Sequence, residues 1–79
     1  MNTLENLKKL IGENFEESVD NIICAFEEEG EIIVKDSENN AYDKIAYVNK
    51  EDSTQYLFKV ENEIIIDVWE AKSMFNLNT

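Results

Sequence analysis

Between residues 25 and 39 the chain reads AFEEEGEIIVKDSEN, which places Glu27, Glu28, Glu29, Glu31, Asp36 and Glu38 around a single lysine, Lys35. Carboxylates gathered this closely can do three kinds of chemistry. They can move protons as an acid–base pair, hold a divalent cation, or attract a cationic partner. Each role needs different companions, and the rest of the sequence discriminates among them.

Proton transfer and nucleophilic chemistry find little support. The chain has no histidine, so it lacks the usual base for a serine or cysteine nucleophile and the commonest metal ligand near neutral pH. With 18 acidic residues in a short chain some carboxylates must lie close together, so proximity alone does not mark a catalytic pair. Gly12 and Gly30 are the two glycines, too few for a phosphate-binding loop or a dinucleotide fingerprint. No catalytic residue and no cofactor is assigned, and a non-enzymatic protein is expected. The segment DSENNA opens like a calcium loop, with Asp36, Glu38 and Asn40 at its first, third and fifth positions. Ala41 replaces the turn glycine, however, and Tyr47 stands where the bidentate glutamate belongs. The segment reads as a solvated hairpin loop, and no metal site is expected.

Attraction of a cationic partner is the chemistry left. Against the 18 acids stand seven lysines and no arginine, for a formal charge of −11. Such a charge repels nucleic acid phosphates and anionic membranes and speeds encounter with basic proteins. Direct contact with nucleic acid or membrane is therefore not expected. The aromatics Tyr42, Tyr47, Tyr56, Phe58 and Trp69 fall in strand-like runs and read as packing residues, because a platform for stacking bases needs basic surroundings. At 79 residues and 43% hydrophobic composition the chain suits one compact domain, spanning residues 1–79. A lone cysteine, no apolar stretch of membrane-spanning length and no basic-then-apolar leader point to an intracellular, cytoplasmic setting.

The elements that must carry these residues follow from periodicity. Asn2 and Glu5 form a helix-opening capping box ahead of Leu4, Leu7, Leu10 and Ile11, with Gly12 as the stop. Asn14 and Glu17 repeat the box ahead of Phe15, Val19, Ile22, Ile23 and Phe26, which predicts a second helix running to Gly30. Four β-rich runs follow at residues 31–35, 41–48, 54–60 and 63–69, separated by polar turn segments. The expected fold is α+β, with two N-terminal helices and then a four-stranded antiparallel meander. Asp67 and Glu70 offer caps for a short C-terminal helix over residues 69–75.

The last hairpin decides which side chains face the core, since a one-residue slip flips them all. A three-residue loop of Glu61, Asn62 and Glu63 sets Val60 opposite Ile64, Phe58 opposite Ile66 and Tyr56 opposite Val68. That register gives one clean core face and is preferred over a two-residue loop. It leaves Ile33, Leu57 and Ile65 in need of cover. Cys24 falls nearly opposite the apolar stripe of the second helix and is expected to be exposed among carboxylates that disfavour its thiolate.

On the second helix Glu16, Asp20 and Glu27 align along one side and Glu17 and Glu28 along another. No lysine lies between Lys9 and Lys35. A charged solvent face is common and keeps small proteins soluble, but such faces usually mix both signs. A single-signed face, extended by Glu31, Asp36 and Glu38, spaces carboxylates about 6 Å apart, close enough to a phosphate row to occupy a basic groove. In size, acidity and α+β plan the chain resembles the small anti-CRISPR and DNA-mimic proteins of phages and mobile elements, a likeness of composition over the whole chain without a diagnostic motif. The resemblance implies an inhibitor that blocks a basic, nucleic-acid-binding site on another protein. Two alternatives remain: an immunity or antitoxin-type protein neutralising one basic toxin, and a small assembly protein that forms a homodimer through Ile33, Leu57 and Ile65.

Overall fold

The computed structural model of the chain describes residues 2–38 and 41–71. Helix α1, Thr3–Lys8, starts where Asn2 Oδ1 accepts the backbone N–H of Glu5 at 2.9 Å. Leu7 on its inner face is fully buried. The chain then turns through Gly12, whose φ of +99° is a region that L side chains rarely adopt. The turn delivers the Gly12 N–H to the Ile65 carbonyl at 2.7 Å.

The second cap also forms, with Asn14 Oδ1 accepting the Glu17 N–H at 3.0 Å. It opens a single turn of 3-10 helix, Glu16–Ser18, that runs into helix α2, Val19–Ala25. This helix is shorter than its apolar spacing predicts. It ends at Phe26, which adopts extended backbone with ψ of 132° and packs its ring edge-on against Tyr56 at 5.3 Å between centroids. Burying a large ring against the sheet outweighs a further turn of exposed, all-acidic helix, whose like charges repel one another. Gly30 is therefore not the helix stop. It passes β2 so closely that an added Cβ would lie 2.9 Å from Val48 Cγ1. Ile23, assigned to the apolar stripe, instead points outward and is 40% exposed.

The four strands are β1 Ile32–Asp36, β2 Lys44–Val48, β3 Gln55–Glu61 and β4 Ile64–Ala71. They form one antiparallel sheet in sequence order, as the meander requires. The fold is α+β. The helices cover one face, where Leu7, Phe15, Ile22 and Phe26 close over Ala46, Val48, Tyr56, Phe58, Ile65 and Val68. On the other face Ile45, Leu57 and Trp69 stand in a row across three strands, and Tyr42 meets Trp69 edge-on at 6.2 Å.

The last hairpin departs from the expected register. Glu61 pairs with Ile64, so the loop is the two residues Asn62 and Glu63, both at positive φ as a type I′ turn demands. The pairing then slips. Val60 faces Ile65 but Lys59 faces Asp67, so Ile66 is the extra residue of a β-bulge. The bulge explains how a short loop still produces a clean core face: Ile65 and Val68 both point inward, three residues apart, while Ile66 is 42% exposed. Leu57 and Ile65 are both buried, so the apolar contact expected of Ile33, Leu57 and Ile65 does not exist as an exposed patch. The C-terminal helix fails at its start, because Trp69, Glu70 and Ala71 are strand. Its remaining residues lie outside the described ones.

Candidate functional site

The acidic residues do not form one continuous row. The helix end at Ala25 removes Glu27 and Glu28 from the face of α2, and the structure sorts the carboxylates by which cation or amide reaches them. Glu16, at the start of the 3-10 turn, and Asp36, at the end of β1, meet across Lys44, whose Nζ bonds Asp36 and lies 3.9 Å from Glu16. Lys44 can reach both because it opens β2 directly opposite Asp36, in cross-strand register. Its ammonium also sits 5.2 Å from the centroid of the Phe15 ring, a favourable cation–π distance.

Around this group lies a cleft of about 450 Å³, lined in part by Phe15, Glu16, Asp36, Asp43, Lys44 and Glu63. Asp43 is held in place twice, accepting the Val60 N–H at 2.8 Å and pairing with Lys59 at 3.7 Å. A second cleft of about 300 Å³ shares Asp36 and brings in Glu38, Lys35 and Tyr42. Asp36 thus links the two clefts. Lys35 lies over the Tyr47 ring at 5.6 Å.

The remaining candidates are dispersed. Glu28 pairs with Lys50 at 2.8 Å, and Glu31 accepts an amide hydrogen bond from Asn49 at 3.1 Å. Glu27 accepts from Asn6 at 3.4 Å, while its own backbone N–H donates to the Thr3 hydroxyl. Glu17 and Asp20 are different. Both are exposed on the helical layer, and among the described residues neither carboxylate has an ion pair. Lys44, Lys50 and Lys59 reach their acids from the sheet or its loops, and none of these three pairs with an acid of α2. Exposed pairs of this kind contribute about 0.2–1 kcal/mol each and are weakened by salt, so they shape the surface more than they stabilise it.

Sequence reasoning missed the roles of Lys44, Asp43, Lys50 and Glu63. The dipeptide Asp43-Lys44, a charged interruption in an otherwise apolar strand run, was the available signal. Cys24 is exposed, as its helical position implies. Among the described residues no group of three potential ligands is placed to hold a metal ion, and no helix is long and apolar enough to cross a membrane. Among the described residues Tyr56 is the group whose titration is clearly displaced. Burial raises its pKa above the ordinary 10.0 and the charge of Glu70 adds to this, while a side-chain hydrogen bond with Thr3 opposes it. That displacement belongs to core packing rather than to a reactive site.

Comparison with known proteins returns no matching family model, no similar curated protein and no similar solved structure.

Proposed function

We propose that this protein is a non-enzymatic acidic inhibitor that binds a basic, nucleic-acid-binding site on another protein and blocks it by electrostatic mimicry. The observation that carries this reading is the pair of exposed carboxylates on the 3-10 turn and α2. Among the described residues Glu17 and Asp20 project from the helical layer without an ion pair, in a chain of net charge −11, while Lys44, Lys50 and Lys59 pair with other acids. Unpaired carboxylates keep their full field and attract a basic groove over roughly a Debye length, about 8 Å at physiological ionic strength. Glu16 and Asp36, bridged by Lys44, border the same helical layer and would supply acceptors at its margin.

Capture of partners on the immobilised protein, with elution in rising salt, tests this reading. The expected outcome is recovery of one basic nucleic-acid-binding protein that salt releases and its own nucleic acid displaces. A partner that nucleic acid fails to displace would remove mimicry.

A further inference from the structure

The two edges of the sheet are treated differently. At the start of β4, up to the bulge, outward backbone groups are engaged by the chain itself. Ile65 donates to Glu13 and accepts from Gly12, Phe15 donates to the Glu63 carbonyl, and a bridge joins Asn14 to Ile64. Beyond the bulge, the Val68 N–H is taken by the neighbouring Asp67 carboxylate at 2.9 Å.

At β1 the situation is the reverse. Glu31 accepts from Asn49 and Ser37 donates to Asp43, so residues 31, 33, 35 and 37 direct their backbone groups toward β2. By alternation Ile32, Val34 and Asp36 direct theirs outward, and among the described residues no strand pairs with that side. Among the described residues three successive donor and acceptor sites are thus open along a five-residue strand. The device that usually guards such an edge, a lysine projecting over it, is missing in effect, because Lys35 is drawn back over Tyr47.

We propose that the outer edge of β1 receives an extended segment of the protein's partner as a fifth strand, and that this segment is apolar in its middle and basic at its ends. The proposal rests on the reading of the protein as a binder of a basic target and names how that target is gripped. Chemistry at the edge selects the segment. Ile32, Ile33 and Val34 offer apolar neighbours at the centre, whereas Glu29 and Glu31 precede the strand and Asp36 and Glu38 end it. Backbone bonds supply affinity and the flanking carboxylates supply preference. Charge also argues against a second copy as occupant, since pairing two such edges brings chains of −11 each together.

Amide hydrogen exchange on the whole chain, read residue by residue, tests the proposal with a capped synthetic hexapeptide, Lys-Val-Thr-Val-Thr-Lys, and its counterpart with glutamate at both ends. At nine-tenths occupancy by the lysine peptide, exchange at Ile32, Val34 and Asp36 should slow about tenfold, because only the unbound fraction remains open. The glutamate peptide should have no such effect. Val34→Pro removes one outward N–H without touching the β2 ladder and should weaken peptide binding. Should that variant unfold, Glu31→Lys with Glu38→Lys makes the same test, and should shift preference from the lysine peptide toward the glutamate peptide. Unchanged exchange at the three amides, equal protection by both peptides, or protection that grows with protein concentration alone would each overturn the proposal. The mimicry reading is separable: Glu17→Lys with Asp20→Lys should leave peptide binding at β1 unchanged while weakening capture of the target.

Discussion

Val60 faces Ile65 across the last hairpin, whereas its neighbour Lys59 faces Asp67, which leaves Ile66 without a partner on β3. One inserted residue therefore lets Ile65 and Val68, three positions apart, both face the core while Ile66 stays outside. Ile65→Ala should cost about 2–5 kcal/mol through lost burial and a cavity, and Ile66→Ala about 0.5 kcal/mol or less. Denaturant titration of the two variants reads the difference directly. Comparable losses at both positions would mean that the bulge is misplaced.

Gly30 is fixed by backbone and by space together. Its φ of +135° strains any L side chain, and a Cβ there would meet Val48 Cγ1 at 2.9 Å. Gly12 has a φ of +99° but nothing within 4 Å of a built Cβ. Both alanine variants should lose stability, of order 1–3 kcal/mol from backbone strain alone, with Gly30→Ala the worse of the two. Equal losses would show that Val48 gives way at no cost.

Tyr56 gives the fold a pH dependence at the alkaline end. Its phenol titrates above 10.0 in the folded chain, chiefly because burial disfavours the charged form. The folded state then holds its proton at a pH where the unfolded state has released it, so this contribution is intact below pH 10 and is lost as pH rises through the folded value. Stability of the wild-type chain should fall above pH 10 more steeply than that of Tyr56→Phe. Parallel pH profiles would place the tyrosine outside the core.

Much of this was legible in the sequence, and what was not has identifiable causes. The asparagine half of each capping box forms as read, because Asn2 with Glu5 and Asn14 with Glu17 depend only on residues three apart. The four strands follow from their β-branched runs. The end of α2 was hidden because Phe26 satisfies helical spacing, and only its meeting with Tyr56 shows that it leaves the helix. The hairpin register was hidden because three consecutive isoleucines, Ile64, Ile65 and Ile66, fit either alternation, and a bulge obeys neither. The acidic surface was legible in composition but not in arrangement. Lys44 comes from β2 to join Glu16 and Asp36, a meeting that no local spacing encodes.

The central claim is that bare carboxylates on the helical layer engage a basic site. Its most direct measurement is the salt dependence of affinity for the captured target, compared between wild type and Glu17→Lys with Asp20→Lys. The fold should be unchanged, since both residues are exposed and among the described residues neither carboxylate has an ion pair. Affinity should drop by about tenfold or more and the salt slope should flatten, as expected when charges at a polar interface are reversed. Unchanged affinity with an unchanged salt slope would contradict the claim and exclude this helix from the interface.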